Sequence, residues 1–332
     1  MTSPPGTQLP VEINLTAAIM AVPGRLAVAA GAPHGPMIIV TRESSAIGLP
    51  SGPFDPLSHR TFEMGLRSWV SEQTSVTLGY VEQLYTFGDR GRHAQIGDRD
   101  PHVVSVGYLA LTRMRVEPSL PRGVDFAPAY SFFPWEDWRG GRPGLLDIAI
   151  LPALRTWCAR EPTRLNGRGL TRMDRLRMLF GGEDGNFDDE NVLDRFEMLY
   201  EAGLVEEARR DGRASPLLEN LAPLGLTMRL DHRRILATAL GRLRSKMKYR
   251  PVIFELMPEA FTLTALQNAA EAITGRHLHK QNFRRFVENA AVVEATGEMA
   301  HATGGRPAAL FRFRREVVQE RPAQGLRVGA RG

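Results

Sequence analysis

The stretch from Phe261 to Phe313 constrains the fold of this chain more than any other, because it carries three structural signals in succession. The first is Thr264 with Gln267 three positions later, which has the form of an N-terminal capping box. Apolar residues at helical spacing follow, and Gly275 is a typical helix stop. The apolar positions are Leu266, Ala269, Ala270 and Ile273. Together these residues predict a first helix.

The second signal is a helix with two unlike sides. Phe283, Phe286 and Val287 would bury one side of this helix. The opposite side would expose basic and amide side chains, namely Lys280, Gln281, Arg284 and Arg285. An apolar side opposite a basic one is typical of a helix that reads DNA, so this segment is predicted to be a recognition helix.

The third signal is a hairpin. Val292 and Val293 are followed by a Gly-Gly-Arg-Pro turn at 304–307, after which apolar residues alternate at Ala309, Phe311 and Phe313. Two helices and a hairpin in this order predict a winged helix-turn-helix with Arg306 at the tip of the wing.

Charge supports DNA as the partner of this segment. From Arg276 to Arg315 there are eight Lys or Arg and three Glu, a net charge of +5 that equals the formal net charge of the whole chain. A localised positive field is what phosphate binding requires. A solvated basic surface on an ordinary helical domain is the alternative, and the order of helix, basic helix and hairpin disfavours it.

The polar residues at the start of the predicted recognition helix fall into two groups by their expected contacts with DNA. We expect Gln281, Asn282 and Arg284 to contact base edges, and His279, Lys280 and Arg285 to contact phosphates. The complete predicted DNA-binding set is Thr264, His279, Lys280, Gln281, Asn282, Arg284, Arg285 and Arg306.

Length and composition set wider limits. A chain of 332 residues with 43% hydrophobic residues is expected to fold as two or three globular domains. The single cysteine, Cys158, permits no internal disulfide, and no apolar run approaches the length needed to cross a bilayer. With no secretory signal in the sequence, a cytoplasmic protein is expected.

The first part of the chain has an α+β order. Strand-like runs at 13–22, 37–41, 77–86 and 103–113 surround one helical candidate at about 57–72. This order predicts a mixed sheet with helices packed on it. From about residue 146 the sequence becomes helical and charged, and residues 183–207 are strongly acidic, which favours packing or dimerisation over a second DNA-binding unit.

These patterns divide the chain into five parts. They are a sheet domain at 8–145, a helical insertion at 146–228, a connecting helix at 229–250, the winged helix-turn-helix at 251–318 and a disordered tail at 319–332.

Several sequence strings resemble a known family. Residues 81–89, 99–101 and 103–111 are similar to the nudix-related transcriptional regulators of NAD metabolism, the NrtR family. So are 249–256 and 261–267, with Asn282-Phe283-Arg284-Arg285 and the turn at 304–307. The similarity spans most of the chain and is weakest at about 160–226, which resembles an insertion found in the longer, NadQ-type members.

The resemblance implies a fold and a function. The fold is a degenerate nudix-like sheet followed by the winged helix-turn-helix. The function is that of a homodimeric regulator that binds a palindromic DNA operator and represses genes of NAD synthesis or salvage. An adenine nucleotide, such as ADP-ribose, NAD or ATP, would be its effector, and no cofactor would be needed.

Nudix hydrolases hold their metals on carboxylates of one helix, and this chain lacks most of them. Aligning the arginine of the nudix box on Arg67 places Ser68 and Ser71 at glutamate positions and His59 at the upstream glutamate. Only Glu72 remains of the box carboxylates. Divalent cations need several oxygen ligands, so we expect no metal site, no catalytic residue and no hydrolysis.

A nudix-like sheet can keep its nucleotide-binding cleft after its metal ligands are lost. Arg90 and Arg99, in a loop rich in Gly and Arg, are candidates to hold pyrophosphate, and Arg42 is a third. Phe87 or Tyr108 could stack on adenine, although both could instead be core residues.

Two rival functions remain open from the sequence. One is a nudix pyrophosphohydrolase with an attached nucleic-acid-binding domain. The other is an adaptor whose basic domain contacts RNA or a protein, which the lack of exposed aromatic residues at 278–289 disfavours for single-stranded RNA.

Overall fold

The computed structural model describes residues 10–23, 35–43, 46–89, 102–114, 120–160, 169–181, 187–216, 221–300 and 307–314. Within these ranges the chain folds into a mixed sheet, a set of helices and a C-terminal winged helix-turn-helix, the α+β architecture that the sequence predicts. The predicted tail at 319–332 lies outside the described residues.

The sheet contains seven strands in the described chain. They are β1 (Val11–Ala21), β2 (Met37–Glu43), β3 (Ala46–Gly48), β4 (Ser51–Pro53), β5 (Val81–Phe87), β6 (His102–Leu111) and β7 (Val124–Pro128). The main order is β3-β2-β1-β6-β5, with β4 paired to β1 and β7 paired to β2. Only β1 and β6 run parallel among these pairs, so the sheet is mixed as expected.

Helix α1 (Phe62–Thr74) covers one face of the sheet. Its Leu66 and Val70 pack in one buried cluster with alternate residues of β1, namely Leu15, Ala17 and Ile19. The helix begins later than the predicted residue 57, because Thr61 caps it by accepting a hydrogen bond from the Met64 amide. The Leu57 amide instead donates to Asp55 in the preceding turn.

The other face of the sheet carries the helical part of the chain. Its helices are α2 (Leu151–Arg160), preceded by one π-helical turn (Leu146–Ile150), α3 (Arg172–Phe180), α4 (Val192–Glu201), α5 (Glu206–Arg210) and α6 (His232–Met247). The predicted acidic unit is a packing element, since its apolar residues are buried in the core, namely Phe196, Leu199, Tyr200, Leu204 and Val205.

The winged helix-turn-helix follows a 3-10 turn at Val252–Leu256. It consists of α7 (Leu263–Thr274), α8 (Lys280–Ala290) and the hairpin of β8 (Val293–Ala300) with β9 (Ala308–Phe313). One buried cluster runs from Met20 in the sheet through Phe196 and Leu240 to Phe283 in α8. The winged helix-turn-helix and the rest of the described chain therefore share a continuous core. No described helix has the length and apolar character of a membrane span.

Candidate nucleic-acid interface and effector site

Helix α7 begins two residues earlier than the predicted capping box requires. The cap is Thr262, whose side chain accepts from the Ala265 amide at 3.1 Å, whereas Thr264 lies exposed within the first turn. The capping-box prediction for Thr264 and Gln267 is therefore wrong. The predicted stop is confirmed, because Gly275 ends the helix in the left-handed region at φ 69°.

Gln267 shapes the turn between the two helices instead of capping the first. Its side-chain amide donates to the Leu278 carbonyl at 2.8 Å and to Glu271 at 2.9 Å. Glu271 also accepts from the Leu278 amide at 2.9 Å. These bonds fix the chain between α7 and the start of α8.

The polar side of α8 faces solvent. Phe283 and Val287 are buried and Phe286 is half-buried, so the apolar side packs inward as predicted. The predicted DNA-contacting residues within the described ranges all have exposed side chains, namely Thr264, His279, Lys280, Gln281, Asn282, Arg284 and Arg285. Their contacts with DNA stay a prediction.

The cations of this surface carry their charge into solvent. Among the residues that the structure describes, Lys280, Arg284 and Arg285 have no carboxylate within ion-pair distance. Their charge can therefore attract phosphate.

The wing packs against the start of the domain. Phe261 and Phe311 exchange backbone hydrogen bonds of 2.9 and 2.8 Å, and Phe313 contacts the rings of Phe254 and Phe261. Arg312 pairs with Glu294 across the hairpin at 2.7 Å. Arg306, the predicted tip residue, lies outside the described residues.

A buried ionic cluster joins this domain to the rest of the chain, and we call it the Glu136 junction. It comprises Tyr130, Glu136, Arg195 and Arg244, none more than 7% exposed. The Glu136 carboxylate accepts from Arg195 at 2.6 and 2.9 Å and from Arg244 at 2.6 Å. Arg244 and Tyr130 also donate to backbone carbonyls at the end of α7.

The junction has a defined pH dependence. Burial alone would raise the pKa of Glu136, but Arg195 and Arg244 outweigh it and hold the pKa below the ordinary 4.5. The carboxylate therefore stabilises the fold fully above about pH 4.5, and this contribution is lost as the pH falls through the lower, folded-state pKa.

We expect this dependence to appear as a difference between wild type and Glu136→Gln. The difference in free energy of unfolding, measured by urea denaturation, should be constant from about pH 8 to 5 and should shrink below about pH 4.5. A difference that stays constant down to about pH 3 would contradict the assignment of an ionised Glu136 to the junction.

Helix α1 occupies the position of the nudix box, and its carboxylates, Glu63 and Glu72, form an ion pair and a hydrogen bond within the helix. Glu72 accepts from the Ser68 hydroxyl at 2.8 Å, so the remaining box carboxylate bonds to the serine that replaces a glutamate. Arg67 pairs with Glu63 and donates to the carbonyls of Leu78 and Gly79. In the part of the chain that the structure describes, no group of three potential metal ligands occurs on α1.

The predicted nucleotide-binding residues do not form one site among the described residues. Phe87 is 1% exposed and packs in the cluster on the α6 face of the sheet, where Arg234 lies over its ring. Tyr108 is 3% exposed and belongs to the cluster on the α1 face, with its hydroxyl donating to Gln83. Both rings are core residues on opposite faces.

Of the three arginines predicted to bind the effector, the structure describes only Arg42. Arg42 is exposed near the end of β2, while Arg90 and Arg99 lie outside the described residues. Their role in binding a nucleotide stays a prediction.

A cavity of about 390 Å³ lies where the sheet domain meets the turn that leads into the winged helix-turn-helix. Thr74, Ser75, Arg113 and Glu255 contribute its polar lining. Burial raises the pKa of Glu255, with Arg113 opposing that rise. Sequence reasoning missed this cavity, because its walls come from segments far apart in the chain.

The fold and the exposed basic helix define a class of protein: an α+β body that carries a C-terminal winged helix-turn-helix. Residues 253–313 match the family model described as the NrtR DNA-binding winged helix domain. These residues therefore form a winged helix domain of the NrtR type, in agreement with the resemblance in the sequence.

Known proteins are similar to this chain over segments of different length. The chain is 43% identical over 90 residues to the ADPR responsive transcriptional repressor NtrR of Acinetobacter baylyi. That match covers 27% of this chain and 36% of the relative, so the chain spans about a third of the length of this curated relative.

Solved structures match over nearly the full length. NrtR of Shewanella oneidensis complexed with a 27mer DNA covers 95% of this chain and 97% of its own, with a TM-score of 0.52 and 18% identity. A second structure of Shewanella oneidensis NrtR gives a TM-score of 0.52 and 19% identity, over 93% and 96% of the two chains. At these identities the likeness shows a shared fold.

Proposed function

We propose that this protein is a ligand-responsive transcriptional regulator that binds DNA through α8. The observation that carries the proposal is the exposed basic side of α8 within a domain of the NrtR DNA-binding type. A helix of this kind fits the major groove of B-DNA, where its N-terminal residues reach base edges. In this proposal Gln281, Asn282 and Arg284 read bases while His279, Lys280 and Arg285 hold phosphates.

The regulator acts as a homodimeric repressor of genes for NAD synthesis or salvage. Two copies of α8 at a fixed separation would enter successive major grooves of a palindromic operator, with the wings beside the flanking minor grooves. Because half-sites lie about one helical turn apart, a change of a few ångströms in that separation would prevent simultaneous docking.

An adenine nucleotide is the effector, and ADP-ribose is the first candidate because the Acinetobacter relative is named an ADPR responsive repressor. The cavity beside Glu255 supports communication between the two parts of the chain, since its walls include both the sheet domain and the turn that leads to α7. A ligand there would contact both parts at once.

The sheet domain binds its nucleotide without hydrolysing it. Only Glu72 of the box carboxylates is present, and it is hydrogen-bonded to Ser68. A single carboxylate does not supply the several oxygen ligands that a catalytic Mg²⁺ needs.

We therefore expect no turnover when the purified protein is incubated with magnesium and ADP-ribose, NAD or diadenosine compounds. Products would be measured by chromatography, and a restored-box variant, Ser68→Glu with Ser71→Glu, provides the matched comparison. Brisk hydrolysis by the wild-type protein would support the rival assignment as a pyrophosphohydrolase.

DNA binding itself is tested by footprinting the protein on the region upstream of NAD genes. The proposal expects protection of a palindromic sequence. Equal binding to all sequences, or preference for single-stranded RNA, would favour the adaptor function instead.

A further inference from the structure

The Glu136 junction draws its members from the sheet domain, the insertion, the connecting helix and the winged helix-turn-helix. Tyr130 and Glu136 follow the last strand of the sheet, and Arg195 lies in α4 of the helical insertion. Arg244 belongs to α6, and the carbonyls of Ala272 and Ile273 belong to α7 of the DNA-reading domain. The junction therefore lies where the sheet domain, the insertion and the reading domain meet.

The guanidinium groups of Arg195 and Arg244 each donate five hydrogen bonds. Arg195 donates twice to Glu136 and to the carbonyls of Leu179, Asp188 and Asp189.

Arg244 donates to the carbonyls of Ile273, Asp189 and Glu136, to the Glu136 carboxylate and to the Tyr130 hydroxyl. A guanidinium has five N–H groups in a rigid planar fork, so five partners fix its orientation completely.

The end of α7 is held with little freedom. The Tyr130 hydroxyl donates to the Ala272 carbonyl at 2.7 Å, and the Trp138 amide donates to the Gly275 carbonyl at 2.7 Å. These bonds satisfy backbone acceptors that a helix end leaves open. A side chain at Gly275 would overlap the Glu136 carbonyl and crowd Tyr130 and Arg244, and its φ of 69° disfavours any other residue.

Helix α8 begins at Lys280, five residues after Gly275, and the turn between them is fixed by Gln267 and Glu271. The direction of α8 relative to the body is thus set by how the end of α7 docks on the junction.

We infer that Tyr130, Arg195 and Arg244 are positioning residues that hold the reading helix in the orientation that operator DNA requires, and that the insertion at 146–228 serves this positioning. The expected effect on operator binding rests on the proposed function, whereas the expected effect on the orientation of α8 does not. A reading helix that holds the competent orientation one-tenth of the time loses about tenfold in affinity for a specific site. Non-specific binding, which depends on charge alone, should hardly change.

The first arm of the test measures orientation without DNA. In a Cys158→Ala background, spin labels are placed on α1 and α8 through Ser71→Cys and Asn289→Cys, both at exposed positions. Pulsed dipolar spectroscopy then compares the full-length chain with its Tyr130→Phe and Gly275→Ala variants. Tyr130→Phe removes only the hydroxyl, so a folded chain is available even where Gly275→Ala disturbs folding.

Because the proposed regulator is a homodimer, the labelled chain is mixed with an excess of unlabelled chain, so that the measured distance is the one within a chain. The positioning role predicts a narrow distribution of this distance in the parent and a broadened or shifted one in both variants. Arg175→Gln is the control, because it breaks the Arg175–Glu201 ion pair inside the insertion without touching α7. It should leave the distribution unchanged. Unchanged distributions in both Tyr130→Phe and Gly275→Ala would overturn the inference.

The second arm compares binding to the footprinted operator and to a scrambled duplex of the same length. Operator affinity should fall about tenfold or more in the junction variants, while affinity for the scrambled duplex stays within about twofold. Equal losses on both duplexes would contradict a positioning role. If the distances change but the parent protein prefers no DNA sequence, the proposed function fails while the junction retains its role.

Discussion

Reversing two charges on α8, Arg284→Glu with Arg285→Glu, is expected to abolish specific operator binding and leave the fold intact. Both side chains are exposed and neither has an acidic partner among the described residues. An arginine that reads a base contributes about 1–3 kcal/mol of discrimination, and one on a phosphate adds to the salt-dependent affinity. The double variant should lose at least about 100-fold in affinity, measured by gel shift against the footprinted operator.

A matched control separates the position of the charges from their number. Arg155→Glu with Arg160→Glu makes the same change of net charge at exposed positions of α2, remote in sequence from the reading domain. It should leave binding within a fewfold of wild type. An unchanged gel shift for the α8 variant would remove the assignment of α8 as the reading helix.

Replacing Arg244 by Met is expected to destabilise the fold strongly, because Arg244 is a buried partner of Glu136. The substitution leaves the Glu136 carboxylate with only Arg195 in a fully buried site, and it removes the hydrogen bonds that Arg244 itself donates to the Ile273 and Asp189 carbonyls. Breaking a buried ion pair by removing one partner costs about 3–5 kcal/mol. Urea denaturation should show a loss of that size.

Arg175→Met is the matched comparison for stability. It also removes an arginine from an ion pair, but Arg175 and Glu201 are 23% and 42% exposed. An exposed pair of this kind contributes about 1 kcal/mol or less. Equal, small losses for both variants would show that the Glu136 junction does not stabilise the fold.

Local signals in the sequence predicted the reading domain well. The stop at Gly275 and the two sides of α8 each depend on neighbouring residues, and the structure has both. The alternation in β9 is present at Phe311 and Phe313, which are half-buried on either side of exposed Arg312, but Ala309 is exposed. The start of α7 was misplaced because Thr262 and Thr264 are both acceptable caps, and periodicity alone does not choose between them.

Long-range features were not available from local patterns. Glu136 is 59 residues from Arg195 and 108 from Arg244, and nothing in the spacing indicates that the three meet. A buried arginine has the same sequence signature as an exposed one until the tertiary fold surrounds it.

The predicted aromatic pair shows a related limit. Phe87 and Tyr108 lie on neighbouring strands, and either ring was predicted to stack on adenine. The pairing of β5 with β6 places the two rings in clusters on opposite faces of the sheet. Side chains alternate between faces along a strand, so the strand register decides which residues meet, and the register includes an irregularity between Gln83 and Thr86.

The central claim is that a nucleotide bound to the sheet domain controls DNA binding by α8 and is not hydrolysed. The most direct test is to titrate ADP-ribose, with magnesium, into the protein bound to its footprinted operator. DNA binding is followed by fluorescence anisotropy and the nucleotide by chromatography. We predict a saturable change in operator affinity with the nucleotide recovered intact. The account would be contradicted if no adenine nucleotide changed the affinity for the operator, or if the nucleotide were hydrolysed during the titration.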